Sequence, residues 1–93
     1  MPLMNLERLP AADLITEGLR DLAAKRETVP ALLVLVGAPR LSALGFCIPA
    51  APGGAEHRLY QRLADDDVLT AHSRYNALIR RLVSFERAAA CAG

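Results

Sequence analysis

The chain has 93 residues, a formal net charge of +1 and two cysteines. This length provides one domain with a single hydrophobic core. Because 11 basic residues are balanced by 10 acidic ones, the overall charge points to neither nucleic acid nor another polyanionic partner.

No segment has the features of a membrane span or a secretion signal. The longest apolar run, Ala31 to Ala38, is far shorter than the roughly 20 residues that cross a bilayer. The amino terminus carries the acidic Glu7 and no apolar core. Cys47 and Cys91 form neither a CxxC pair nor a disulfide framework. We therefore expect a cytoplasmic protein with reduced thiols and no contact with a membrane.

The chain has more apolar residues than a small domain can bury. Hydrophobic residues make up 53% of it, whereas aromatic residues make up only 4%. Since a small domain has little interior, part of this surplus stays on the surface and favours association. The composition therefore predicts a homo-oligomer, most simply a dimer, or a complex with another protein. Ten of the 11 basic residues are arginine. This bias indicates either bidentate and stacked contacts, which arginine prefers, or simply a GC-rich genome.

The amino-terminal part begins with a lead-in segment over residues 1–10, where leucines at intervals of three predict one turn. A first helix is expected from Ala11 to Glu27, with Gly18 on its apolar face. Gly18 marks either a close helix crossing or a tolerated glycine. Three acidic residues stand four apart on the predicted outer side, and Asp21 can pair with Lys25; the row consists of Asp13, Glu17 and Asp21.

The middle of the chain has one ambiguous segment. Residues 31–36 are apolar enough for a buried strand, but the only available partner strand, residues 46–48, would need a parallel crossover shorter than usual. Thr28 and Pro30 are typical of a helix start. We therefore predict a buried helix from Val29 to Val36, then a short helix from Pro39 to Leu44 that Gly45 ends as a left-handed cap.

A loop over residues 48–55, rich in proline and glycine, separates the amino-terminal half from a carboxy-terminal helix pair. The first helix of the pair, Glu56 to Ala64, should direct Tyr60 inward together with two leucines. The acidic run Asp65–Asp67 suits the start of the next helix, where Asp66 or Asp67 can serve as a cap.

The last helix, predicted from Asp67 to Cys91, has the longest regular pattern in the chain. Its apolar residues recur at intervals of three and four and should lie on one face: Val68, Ala71, Tyr75, Leu78, Leu82, Phe85 and Ala89. The expected fold is an all-α single domain over residues 1–93. It is an irregular bundle of four main helices and one short helix, with the last helix longest.

No motif in the chain predicts a reaction, and we expect neither an enzyme nor a bound cofactor. The histidines His57 and His72 could converge on a metal with the acidic run 65–67, but they lack the i, i+4 spacing of a zinc site. No nucleophile motif and no phosphate-binding glycine loop is present.

One edge of the last helix is the candidate interface. Ile79 and Val83 widen its apolar face beyond what one core contact needs, and a heptad reading pairs Arg81 with Glu86 across a parallel dimer. The same seam could instead pack on the protein's own helices. The predicted interface residues are His72, Tyr75, Asn76, Ile79, Val83 and Glu86. Together these features predict a small non-enzymatic interaction protein, homo-oligomeric through this edge.

The alternative is a nucleic-acid-binding module that uses the opposite, basic face of the last helix. Its four arginines form two rows whose members are seven positions apart: Arg74 with Arg81, and Arg80 with Arg87. The even charge balance of the chain argues against this function, and Glu86 interrupts the patch.

Overall fold

The computed structural model describes residues 9–49 and 53–92. Within these ranges the chain forms five helices and no strand. They are α1 (Ala12–Ala23), α2 (Val29–Val36), α3 (Ala38–Ala43), α4 (Ala55–Asp66) and α5 (Ala71–Ala92). The prediction of an all-α fold with four longer helices and one short one is confirmed. Of these helices, α5 is the longest, with 22 residues.

The helix α2 lies at the centre of the bundle. It packs against α1, α4 and α5, and its residues 31–34 are completely buried. The Thr28 hydroxyl accepts the backbone N–H of Ala31 at 3.3 Å, and Pro30 lies in the first turn. The predicted helix start is therefore confirmed, and the ambiguous apolar run is a helix because a central helix is covered on all sides.

Gly18 marks a close crossing between α1 and α2. A Cβ atom built on this glycine would overlap the carbonyl oxygen of Pro30 and would lie 2.5 Å from the Cγ2 atom of Val34. Only a glycine allows the two backbones to approach this closely. Of the two interpretations of Gly18, the close helix crossing is confirmed.

Asp21 does not lie on the outer side of α1, and the predicted pairing with Lys25 is wrong. The residue is only 6% exposed. It accepts the Thr28 hydroxyl at 2.6 Å and an Arg26 N–H at 3.0 Å. These two hydrogen bonds, Thr28 first, hold the pKa of Asp21 below its ordinary value. The prediction failed because α1 ends at Ala23, four residues earlier than expected. Lys25 then adopts a left-handed conformation (φ 62°) that reverses the direction of the chain.

Gly45 ends α3 as predicted. It has a φ of 105°, and the backbone N–H of Phe46 donates to the carbonyl of Leu41 at 3.0 Å, which is the hydrogen bond of a Schellman motif. The turn places the Phe46 ring 5.7 Å from the ring of Phe85 on α5. The cap therefore fixes an aromatic contact between α3 and the last helix.

The two predicted irregular segments are only partly described. Leu9 packs against the core, but the rest of the predicted turn in the lead-in segment lies outside the described residues. Of the predicted loop, residues 48, 49, 53 and 54 lie outside any helix, and residues 50–52 are not among those described. Among the described residues, no helix is both long enough and apolar enough to cross a membrane.

The start of α5 differs from the prediction. The helix begins at Ala71, and residues 67–70 form a turn in which the Asp67 carboxylate accepts the backbone N–H of Leu69 at 3.1 Å. Val68 is therefore 71% exposed, and its predicted place in the core is wrong. Tyr60 is also not inward, since 39% of it is exposed.

The rest of the predicted seam of α5 faces the interior. Four of its residues are buried, namely Ala71, Leu82, Phe85 and Ala89. Tyr75 and Leu78 are partly buried and pack against the same core. The periodicity therefore predicted the buried face correctly from the first true turn of the helix onward.

Candidate functional site

A cluster of rings lies at the surface where α4 faces the first turns of α5. The Tyr60 ring centroid is 5.7 Å from that of Tyr75 and 6.5 Å from that of His72. The Nδ2 atom of Asn76 lies 3.2 Å from the Nε2 atom of His72. These side chains combine apolar ring faces with polar tips at a site that water reaches, a composition typical of protein interfaces.

The cluster continues along α5 as a straight stripe. Residues 72, 76, 79 and 83 follow one another at intervals of four, three and four, which places them on one line of a helix. His72 and Asn76 are exposed, whereas Ile79 and Val83 are half-buried. We call Tyr60, His72, Tyr75, Asn76, Ile79 and Val83 together the aromatic edge. The structure thus brings together five of the six predicted interface residues and adds Tyr60.

Glu86 is the sixth predicted interface residue, and it does not lie on this surface. It is only 6% exposed, and a Cβ atom on Gly37 would lie 2.9 Å from its Oε2 atom. Burial raises the pKa of Glu86, and the nearby Arg40 opposes that rise. A carboxylate in this position cannot meet Arg81 of a second chain, so the predicted pairing of a parallel coiled coil is wrong.

The four arginines of the basic face separate into two pairs. Arg74 forms an ion pair with Asp66 at 2.8 Å, and Arg81 lies 3.7 Å from Asp13. Arg80 and Arg87 are exposed and form no ion pair with any residue that the structure describes.

The corner between α4 and α5 exposes two aliphatic residues that the sequence analysis did not assign to a surface. Val68 is 71% exposed and Leu69 is 90% exposed. A signal for them was present, because a run of aspartates is typical of a turn whose side chains bind their own backbone. Asp67 does this, and the apolar residues that follow it are therefore outside the helical pattern.

The described residues include no group of three or more histidine, cysteine, aspartate or glutamate side chains that could hold a metal ion. Both Cys47 and Cys91 are exposed and unpaired.

Within the aromatic edge, partial burial raises the pKa of Tyr75, and the negative charge of Glu56 raises it further.

The described surface also carries shallow grooves. One of about 470 Å³ runs along α1 and is lined by charged and polar residues that include Asp13, Glu17 and Arg20. This groove has no enclosing wall opposite the helix, unlike the concave pockets that bury most of a small ligand. The aromatic edge is therefore the better candidate site.

Comparisons of the chain with protein-family models, with curated proteins and with solved structures found no match. The proposals for its function therefore rest on the geometry and charge of the described surface.

Proposed function

We propose that this protein is a non-enzymatic, cytoplasmic interaction module that associates with a second copy of itself through the aromatic edge and the adjoining corner of Val68 and Leu69. The observation that carries the proposal is the exposure of Tyr60 and His72 beside a corner that presents Val68 and Leu69 to water. Large apolar side chains and rings that are exposed to water in one region of a surface are typical of an interaction site.

The side chains of the edge are suited to binding rather than to chemistry. Tyrosine provides a large contact area at a low cost in side-chain entropy and is frequent among residues that dominate binding energy. The ring nitrogen of His72 lies beside the Asn76 amide, and the pKa of Tyr75 is raised. Within the edge, no nucleophile is paired with a base.

Sedimentation equilibrium at micromolar concentration tests the proposal. The native chain should form dimers, and a Leu69→Asp variant should dissociate more readily. Burying a leucine contributes about 1.5–3 kcal/mol. Because a two-fold dimer buries Leu69 of both chains, the dissociation constant should rise by roughly 10²- to 10⁴-fold. Because Leu69 is 90% exposed in the single chain, the variant should keep the thermal stability of the monomer, measured at a concentration at which the native chain is also dissociated.

The matched control is Thr16→Asp, which adds the same charge at an exposed position on α1 and should leave the dimer unchanged. A native chain that sediments as a monomer throughout the concentration range would refute self-association. Equal weakening by both variants would show that charge, and not the apolar corner, governs the association.

A second candidate function is binding of a nucleic-acid backbone by Arg80 and Arg87. The supporting observation is that these two exposed arginines have no ion pair with any described residue. Seven residues place them about 10 Å apart along α5. Two phosphate contacts would give a salt dependence with a logarithmic slope of about −1.8 on duplex DNA.

Titration of mixed duplex DNA and single-stranded RNA at low salt tests this candidate. Arg87→Ala should roughly halve the salt slope, whereas Arg74→Ala should change it little because Asp66 already pairs with that side chain. The absence of binding at low salt would eliminate the nucleic-acid function.

A further inference from the structure

We infer that the second copy docks antiparallel on the aromatic edge, with a two-fold axis crossing α5 between Ala77 and Leu78. This inference rests on the proposed self-association and adds its orientation and register. Two features carry it: the distribution of unpaired charge along α5 and the symmetry of the stripe.

Unpaired charge is of opposite sign at the two ends of α5. At the amino-terminal corner, the Asp65 carboxylate accepts a hydrogen bond from the neutral amide of Gln61. The Asp67 carboxylate accepts one from the backbone N–H of Leu69. Neither carboxylate belongs to an ion pair among the described residues. Near the carboxyl end, Arg87 is exposed and is likewise without an ion pair in the described part of the chain.

An antiparallel arrangement brings these opposite charges together. With the axis between residues 77 and 78, Arg87 of one copy lies about 4.5 Å beyond the start of the other copy's α5 at Ala71, next to the turn over residues 67–70 that contains Asp67. A parallel arrangement in register instead places each acidic corner beside its equivalent and each Arg87 beside another Arg87. Like charges in contact are unfavourable, so the charge distribution selects the antiparallel orientation. Arg80 lies near the axis and favours neither.

The stripe has the same spacing when it is followed in either direction. Its intervals of four, three and four residues are symmetric about the midpoint between residues 77 and 78. A two-fold axis there pairs His72 with Val83 of the second copy, and Asn76 with Ile79. Each contact thus joins a polar and an apolar member, and each occurs twice, as an isologous interface requires.

Crosslinking between two single-cysteine variants tests the orientation. The native cysteines Cys47 and Cys91, both exposed, are first replaced by serine in the full chain. One protein then carries His72→Cys and the other Val83→Cys, with a mass difference between them. The two are mixed, shown to be dimeric by sedimentation, and treated with a short bismaleimide.

The antiparallel arrangement predicts that most crosslinks join residue 72 of one chain to residue 83 of the other. Their share should exceed the share of mixed dimers that random pairing of the two variants would give. Crosslinks between identical positions should be weak, because these are separated by about 16 Å along the helix axis in addition to the lateral spacing of the helices. Within each unmixed variant, little crosslinking is expected.

The other outcomes overturn different statements. Dominant 72–72 and 83–83 crosslinks in a dimer would establish the parallel orientation and refute the inference while leaving self-association intact. A dimer that forms none of these crosslinks would show that the stripe is not the contact surface. A monomer would refute the proposed function itself.

Discussion

The crossing of α1 and α2 at Gly18 provides the sharpest test of the fold, through the substitution Gly18→Ala. The added methyl group would collide with the carbonyl oxygen of Pro30 and come within 2.5 Å of Val34 Cγ2. The Val34 side chain can rotate only within a full core, since Val34 is completely buried. The Pro30 carbonyl belongs to the backbone of α2 and cannot move away independently. The two helices must therefore separate.

The magnitude follows from two opposing effects. Overpacking a well-packed interior costs typically 1–3 kcal/mol, and contact with a fixed carbonyl places this site at the upper end. Alanine gains about 1 kcal/mol over glycine in a helix interior. The net loss should therefore be about 2 kcal/mol. For a domain of this size, that loss lowers the melting temperature by roughly 8–16 °C.

Urea unfolding followed by circular dichroism measures this change, with Gly53→Ala as the matched control. A Cβ atom on Gly53 meets nothing within 4 Å, so the control should stay within about 0.5 kcal/mol of the native chain. A Gly18→Ala variant as stable as the native chain, or more stable, would refute the close crossing, because helix propensity would then be the only remaining effect.

Three further substitutions test the core and the buried carboxylates. Leu82→Ala, at a side chain 3% exposed, should cost about 2–5 kcal/mol in urea unfolding. Leu69→Ala, at a side chain 90% exposed in the single chain, should cost less than about 0.5 kcal/mol when unfolding is measured on the monomer, at protein concentrations below the dimer dissociation constant. Asp21→Asn should destabilise the fold at neutral pH. Since the folded pKa of Asp21 is lowered, this contribution is present above the unfolded pKa of about 3.9 and disappears as the pH falls through the folded value; a difference that persists at lower pH would contradict the assignment. Glu86→Gln should stabilise the fold at neutral pH and match the native chain below the unfolded pKa of about 4.3. Because the folded pKa of Glu86 is raised, the native chain loses stability as the pH rises through that value. Melting curves with the same pH dependence for the variant and the native chain would exclude this effect.

The features that the sequence predicted correctly are those that depend on neighbours along the chain. Thr28 caps α2 through an N–H three residues away, and Gly45 ends α3 within one turn. The spacing of Leu82 and Phe85 identified the buried face of α5, because helical periodicity is local once the helix has begun.

The errors arose where a residue's surroundings depend on another element. Glu86 is buried because Gly37, far away in sequence, leaves room for its carboxylate. Asp21 turns inward because the chain reverses after α1 and brings Thr28 to it. Val68 was assigned to the core because the helical pattern was extended through a turn. None of these three outcomes could be obtained from periodicity, since each depends on where the chain leaves the helix or on what faces it.

The dimensions of α5 connect the fold to the proposed function. Its 22 residues extend about 33 Å, whereas α2 and α4, with 8 and 12 residues, extend only about 12 and 18 Å. The helices that pack on α5 are therefore too short to cover its whole length from any one side. The stripe from His72 to Val83 extends for about 16 Å along α5, and its residues His72 and Asn76 are exposed. Among the described helices, only a second α5 laid antiparallel is long enough to cover the stripe and both charged ends at once.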